Sequence, residues 1–157
     1  MSRFSQIKKY DIRERTSFVD MPELGDGARI EVKTTADTNK GYYNGVLRIG
    51  TKRSRELAKK KVVDTDDIVR DRRDAASLFP KHVMVSFDRV PDENGDLLEY
   101  SEEVGKELVE ELIKTAPHLF DRIRDHAGEL VNFYDDIEVA GDPSELAENS
   151  PTGSSGN

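Results

Sequence analysis

The chain has 157 residues, of which 35% are hydrophobic and 36% are charged, a balance that suits one domain with a modest core. No window approaches the run of about 18 apolar residues that a membrane span requires, and the first residues lack the apolar segment of a signal peptide. Zero cysteines exclude disulfides, thiolate metal sites and cysteine nucleophiles. These features predict a cytosolic protein with no membrane partner.

Charge is distributed unevenly along the chain, whose formal net charge is −8. Residues 1–15 hold five Lys/Arg against two Asp/Glu, whereas residues 101–157 hold four against fourteen. This asymmetry is compatible with two solvated surfaces, with a charged partner, or with head-to-tail self-contact in a homo-oligomer.

Residues 16–140 are predicted to form one α+β domain between two polar segments. Residues 1–15 have the composition of a loose basic arm with few apolar anchors. Residues 141–157 are rich in Gly, Pro, Ser, Asn and Glu, and hold too few apolar residues to offset the entropy of ordering a backbone. We therefore expect a disordered acidic and polar tail there.

A first β-hairpin is predicted near the start of the domain. Residues 16–21 and 29–33 are strand-like, and the stretch Gly25-Asp26-Gly27 supplies the turn between them. The alternation of residue types places Ile30 and Val32 on the buried side. Phosphate binding by the two glycines is disfavoured, because no helix start or third glycine follows at the required spacing.

A helix is predicted to follow, with Thr35, Asp37 or Thr38 as its N-cap. Its apolar stripe lies at i, i+3, i+4 and i+7 and comprises Tyr43, Val46, Leu47 and Gly50. Three glycines weaken this helix by about 1 kcal/mol each. The basic continuation TKRSRELAKKK lacks interleaved aromatic residues and belongs to an acidic chain, which disfavours nucleic acid as a partner.

A second helix is predicted to start at Asp64 or Thr65, either of which can act as N-cap. We expect Pro80 to end it, since proline disrupts a helix interior. Its apolar positions are Ile68, Val69, Ala75, Ala76 and Phe79.

A second β-hairpin is predicted between Val83 and Tyr100. Val83, Val85 and Phe87 alternate with Met84, Ser86 and Asp88, which is the period of a half-buried strand. Pro91 ends this strand, and the dipeptide Asn94-Gly95 favours a tight turn. The short returning strand comprises Leu97, Leu98 and Tyr100.

The last part of the domain is predicted to be a pair of amphipathic helices. Ser101 is the expected N-cap of the first helix, and Pro117 marks the start of the second. The first stripe comprises Val104, Leu108, Leu112 and Ile113, and the second comprises Leu119, Ile123, Ala127, Leu130, Val131 and Tyr134. Packing of these stripes on the strands predicts a predominantly helical α+β fold whose core includes Phe87, Leu112, Ile123 and Leu130.

Motifs for catalysis or metal binding do not occur in the sequence. The histidines His82, His118 and His126 have no zinc-site spacing. The acidic turn near Asn94 fails as a calcium loop, because Val90 and Ser101 stand where carboxylates are needed. We therefore expect a non-enzymatic protein without a metal or cofactor.

The order of these stretches resembles the small tail assembly chaperones of long-tailed bacteriophages. The resemblance rests on an early GDGARIEV, a helical middle with a charged face, a strand followed by an NGD turn and LLEYSEE, and the ending KTAPHLFDRIRDHAGELVNFY. It is strongest over residues 75–134 and weaker over residues 19–47. Phe87 stands in the strand where related sequences tend to have a tryptophan.

The resemblance implies a non-enzymatic factor in the cytoplasm of the infected host. Such a factor binds the tape measure protein, keeps it soluble until tail-tube subunits assemble around it, and is absent from the mature virion. The candidate partner-binding residues lie near the end of the last helix and are Phe133, Tyr134 and Ile137. Core packing accounts for Phe133 equally well. Two alternatives remain: a structural tail component such as a terminator or connector, and an acidic inhibitor that mimics DNA.

Overall fold

The computed structural model describes residues 3–7, 15–59 and 64–134, so the predicted polar tail lies outside the described residues. Within these ranges, four α-helices and one three-stranded antiparallel sheet confirm the predicted α+β class. The elements in chain order are β1 (Thr16–Asp20), β2 (Arg29–Lys33), α1 (Lys40–Leu57), α2 (Thr65–His82), β3 (Met84–Asp88), α3 (Glu102–Thr115), α4 (Pro117–Gly128) and a 3-10 turn (Leu130–Phe133). Within these described elements, no helix has the length and apolarity to cross a bilayer.

The first hairpin forms as predicted and places β2 in the centre of the sheet, between β1 and β3. Ile30 and Val32 are both 0% exposed, on the side of the sheet that the helices cover. Gly27 closes the turn with φ 73°, in the left-handed region that favours glycine. The expected strand alternation around β2 is therefore correct.

The alternation predicted for Val83, Val85 and Phe87 is wrong at Val85, whereas Val83 is buried as expected at 0% exposed. Ser86 pairs with Glu31 and Met84 pairs with Val32, which leaves Val85 as an extra residue in a β-bulge. The bulge turns Met84 inward, where it is 5% exposed, and turns Val85 outward, where it is 37% exposed. Phe87 faces the core as expected.

The second hairpin is reduced to a loop with one isolated bridge between Pro91 and Leu97. No returning strand forms: Leu97 is 61% exposed, and Asp92 holds the turn through backbone hydrogen bonds with Gly95 and Asp96. Tyr100 packs instead edge-on against Phe87, with the ring centroids 5.2 Å apart. The central strand β2, which is non-local in sequence, takes the place that the returning strand was predicted to fill.

The helix starts follow local capping rules. Asp64 and Asp67 form a reciprocal capping box at α2, and the Ser101 hydroxyl accepts from the Val104 N–H at α3. At α1 the N-cap is Asn39 rather than the predicted threonines or Asp37. The Asn39 amide also donates to the His82 carbonyl at 2.7 Å, so this cap joins α1 to the end of α2.

Pro80 does not end α2, which continues to His82. A proline in this position removes one backbone hydrogen bond close to the end of the helix. Its ring is buried, as are the neighbouring Ala76 and Phe79. The apolar contact of the proline ring offsets part of the cost of the lost bond.

The hydrophobic core lies between the sheet and the helices. Phe79 of α2 meets Phe120 of α4 edge-on with the ring centroids 4.9 Å apart, and both are 0% exposed. Leu112 and Ile123 are buried in the same cluster, as predicted. Leu130 is not, because α4 ends at Gly128 and the turn that follows leaves Leu130 39% exposed.

Arginine–carboxylate pairs connect α4 to the rest of the domain. Arg122 donates to both carboxylate oxygens of Glu23 at 2.7 and 2.5 Å, and these hydrogen bonds lower the pKa of Glu23 to about 2. Arg72 of α2 forms a bidentate pair with Asp121 at 2.9 and 2.8 Å. The charged face of α4 thus sets the orientation of the helix on its neighbours.

Candidate partner-binding surface

The residues proposed from the sequence for partner binding differ in exposure. Phe133 is 1% exposed and packs near the His126 ring, with the ring centroids 6.3 Å apart, so its side chain belongs to the core. Tyr134 is 42% exposed. Ile137 lies outside the described residues. Of the two that the structure describes, Tyr134 is therefore the exposed one.

The apolar faces of α3 and α4 are used within the domain. Val109, Leu112, Leu119, Phe120 and Ile123 are all at most 5% exposed. The helix pair therefore supplies the core, as the predicted packing of its stripes on the strands requires. A surface for an apolar partner has to lie elsewhere among the described residues.

The predicted apolar stripe of α1 faces away from the core. Tyr43, Val46 and Leu47 are 42%, 38% and 53% exposed, and Gly50 beside them is also exposed. The residues that α1 buries instead are Tyr42 and Gly45. The stripe is therefore an exposed apolar face within the described part of the chain.

Two glycines explain which face of α1 turns inward. A Cβ atom at Gly45 would lie 2.6 Å from Leu78 Cδ2, and one at Gly41 would lie 2.5 Å from His82 Nδ1. The absence of side chains at these positions therefore allows α1 and α2 to pack closely. The i, i+4 spacing of the glycines is the signal in the sequence that could have identified this face, although sequence reasoning counted them only as weakening the helix.

A groove of about 390 Å³ runs between α1 and α2 beside the stripe. Its walls are mainly apolar: Val46 and Ile49 come from α1, and Ile68, Ala75 and Leu78 come from α2. Ile68 is 60% exposed, so the apolar surface continues from α1 across the groove onto α2. The stripe and this groove together form the candidate surface.

The charged residues around the groove are largely paired with one another. Arg53 donates to Asp74 and, at 2.8 Å, to Glu56; the hydrogen bond to Asp74 is the main cause of its raised pKa. Arg124 of α4 donates to Asp71 at 3.0 Å. Because these charges are paired with one another, a docked partner would meet little unpaired charge at the groove. Apolar contact would then be the main source of binding energy.

A second groove of about 950 Å³ lies between α2 and α3. Its apolar floor includes Ala76, Pro80 and Val109, which are already buried in the domain, and Ile113, which is partly buried. The charged residues that line it carry both signs and are Arg73, Lys81, Glu102, Glu103, Lys106, Glu110 and Lys114. The α1 stripe, in contrast, consists of apolar side chains that are exposed.

One polar contact was not foreseen from the sequence. His126 Nε2 lies 2.8 Å from Ser17 Oγ, where α4 meets β1. Burial lowers the pKa of His126, so the ring is neutral near pH 7 and the contact is a neutral hydrogen bond. Among the described residues no carboxylate is hydrogen-bonded to the other ring nitrogen, and the pair lacks the third group that orients a catalytic histidine.

Comparison of the chain with models of protein families, with curated protein sequences and with solved structures found no match. Clusters of three or more potential metal ligands are not found within the described ranges. The candidate surface on α1 and α2 is therefore defined by its own geometry: a stripe of exposed apolar side chains, an adjoining groove, and paired charges around it.

Proposed function

We propose that this protein is a non-enzymatic tail assembly chaperone of a long-tailed bacteriophage. It binds the tape measure protein in the host cytoplasm, keeps it soluble until the tail tube assembles, and does not remain in the virion. The proposal combines the resemblance of the sequence with one observation, the exposed apolar stripe of α1 beside the groove.

The stripe suits a helical client that is rich in apolar surface. Tyr43, Val46 and Leu47 occupy one face of α1 over slightly more than one turn, which is the spacing with which one amphipathic helix contacts another. The groove between α1 and α2 gives a second row of contact through Ile68. A client helix along this surface would cover side chains that the described part of the domain leaves exposed.

Co-expression with the tape measure protein of the same phage tests the proposal. We expect the tape measure protein to become soluble and to co-purify with this chain. Leu47→Asp should reduce the retained client several-fold, because it places a charge in the middle of the apolar contact. Leu47 is 53% exposed, so the substitution should leave the thermal unfolding temperature nearly unchanged.

Val131→Asp is the matched control. Val131 is also apolar and is 62% exposed, but it lies on the turn after α4 and lines neither the groove between α1 and α2 nor the cavity beside Tyr43. It should retain the client as well as the unmodified chain does. The proposal fails if the client is equally insoluble with and without this protein. Stoichiometric amounts of the protein in purified virions would instead favour a structural tail component.

A further inference from the structure

Strand β1 forms one edge of the sheet, and its outer side carries unpaired backbone groups. The Met21 N–H donates to the Ala28 carbonyl at 2.8 Å, and the register continues this ladder through β1. Alternate residues of an antiparallel strand bond to the same neighbour, so Thr16, Phe18 and Asp20 direct their N–H and C=O groups away from β2. Within the described ranges these groups make no hydrogen bond. Such an edge is able to pair with a further strand.

The opposite edge of the sheet, at β3, is protected in two ways that β1 lacks. Val85 forms a bulge, and the Tyr100 hydroxyl donates to the Met84 carbonyl at 3.4 Å. Bulges and covering side chains keep a sheet edge from pairing with another chain, as do proline and lysine within the strand. The five residues of β1 contain neither proline nor lysine, and its register is regular. The open edge of this sheet is therefore β1.

The side chains of β1 suit pairing with a second copy of the same strand. An antiparallel pair centred on Phe18 is its own two-fold partner, and sets Phe18 opposite Phe18 of the second copy. Phe18 is 41% exposed even though Arg29 lies over its ring, with Cζ 4.0 Å from the centroid. Aromatic residues directly opposite each other stabilise a strand pair. The centre of this contact is therefore apolar.

The same register brings opposite charges together. Thr16 faces Asp20 of the second copy, and within each copy Thr16 pairs with Lys33 on the next strand. Asp20 and Lys33 of the second copy then lie on one face, about 10 Å apart between Cα atoms, within the range over which exposed charges attract at about 0.1 M salt. Both are exposed, and neither forms an ion pair in the part of the chain that the structure describes. The two-fold axis repeats this contact on the other side of Phe18.

We infer that two copies of this chain pair through β1 and join their sheets into one six-stranded sheet. Residues 16, 18 and 20 then form three pairs that each exchange two backbone hydrogen bonds. A single strand pair buries less than the roughly 1,200 Å² of a stable complex, so the dimer is transient, with a dissociation constant of the order of 100 µM. This pairing does not rest on the proposed function. Because α1 packs mainly on α2, the pairing leaves the α1 stripe of both copies exposed.

Sedimentation of the full-length chain at rising concentration tests the dimer. We expect the mass to rise towards that of two chains between about 10 µM and 1 mM. Phe18→Lys should raise the dissociation constant at least about tenfold, because like charges then face each other at the centre of the contact. Glu31 stands opposite this position in β2 and accommodates the new charge within the folded chain.

Val85→Lys is the matched control. Val85 is 37% exposed and lies on the other edge strand, so the substitution should leave the dissociation constant unchanged. A chain that stays monomeric at 1 mM would overturn the inference. So would an equal loss of dimer in the two lysine variants.

Exchange of charges tests the register. Asp20→Lys and Lys33→Asp each place like charges in both outer contacts of their own dimer, so each variant alone should associate several-fold more weakly. An equimolar mixture should recover the association of the unmodified chain, because both outer contacts of the mixed dimer join opposite charges. Circular dichroism checks that each variant is folded. A mixture that associates no better than its components would contradict this pairing.

Amide hydrogen exchange of the unmodified chain shows which strand takes the edge. Exchange at the Phe18 N–H should slow as the protein concentration rises, whereas the Val19 N–H, which is directed towards β2, should be protected at every concentration. Protection of Phe18 that is already complete in a dilute, monomeric sample would mean that another segment of the same chain covers β1, and would overturn the dimer. If the dimer forms but the tape measure protein stays insoluble, the chaperone function fails and the pairing stands.

Discussion

Ile123 is the position at which the packing of α4 can be tested most sharply. Its side chain is 0% exposed, between the sheet and the helices. Ile123→Ala removes three carbon atoms, which at about 0.8 kcal/mol for each buried methylene lowers the free energy of unfolding by about 2.4 kcal/mol. The cavity left behind adds to this, so we expect a total loss of about 3–4 kcal/mol, within the range of about 2–5 kcal/mol for such truncations.

Val131→Ala is the comparison, since the periodicity of the sequence places Val131 on the same stripe as Ile123. The structure leaves Val131 62% exposed after the end of α4, so its truncation should change the free energy of unfolding by less than about 0.5 kcal/mol. Urea unfolding followed by circular dichroism measures both values, and equal m-values would show that the unfolded states are comparable. A loss below about 1 kcal/mol for Ile123→Ala, or an equal loss for Val131→Ala, would refute this packing of α4.

Other predictions concern protonation and glycine. The pKa of His126 is lowered by burial, so the folded state binds fewer protons than the unfolded state below the usual histidine pKa of about 6.5. Stability should therefore fall as the pH falls below about 6.5. His126→Gln should flatten the dependence of the melting temperature on pH in this range. A pH dependence that is the same in this variant would contradict the burial of His126. Gly50→Ala should stabilise α1 by about 0.8 kcal/mol, since its Cβ meets no atom within 4 Å. Gly45→Ala should be less stable than Gly50→Ala in urea unfolding, because its methyl group meets Leu78; the reverse order would be inconsistent with close packing of α1 on α2. Gly25→Ala should lower the free energy of unfolding by at least about 1 kcal/mol, because its Cβ would lie 2.6 Å from Cδ of the rigid Pro91 ring. An unchanged urea midpoint would show that Gly25 and Pro91 are not in close contact.

Local rules in the sequence were sufficient for several elements. The β1–β2 hairpin follows from strand alternation around a glycine turn, and the starts of α2 and α3 follow from Asp64 and Ser101 as N-caps. Pro117 marks the start of α4 as predicted. Each of these depends on residues within a few positions of one another, so the determining interactions are visible in a short stretch of sequence.

The faces that became core and surface were decided by contacts between distant residues. The periodicity of α1 identified Tyr43, Val46 and Leu47, yet the inward face is the one on which Gly45 allows α2 to approach. The candidate surface therefore could not be located from the helix alone, because an amphipathic pattern does not state which neighbour will be available to cover it.

Sheet order and helix ends depended on the same kind of contact. Pairing of β3 with β2 made Val85 a bulge and left Leu97 with only an isolated bridge to Pro91, although the local sequence favoured a hairpin. Apolar burial offset the cost of Pro80 inside α2. Local patterns were thus sufficient for the class of fold and for the start of most elements, although not of α1. Which apolar side chains remain exposed depends on contacts between distant residues, since burial depends on the partner surface as well as on the residue.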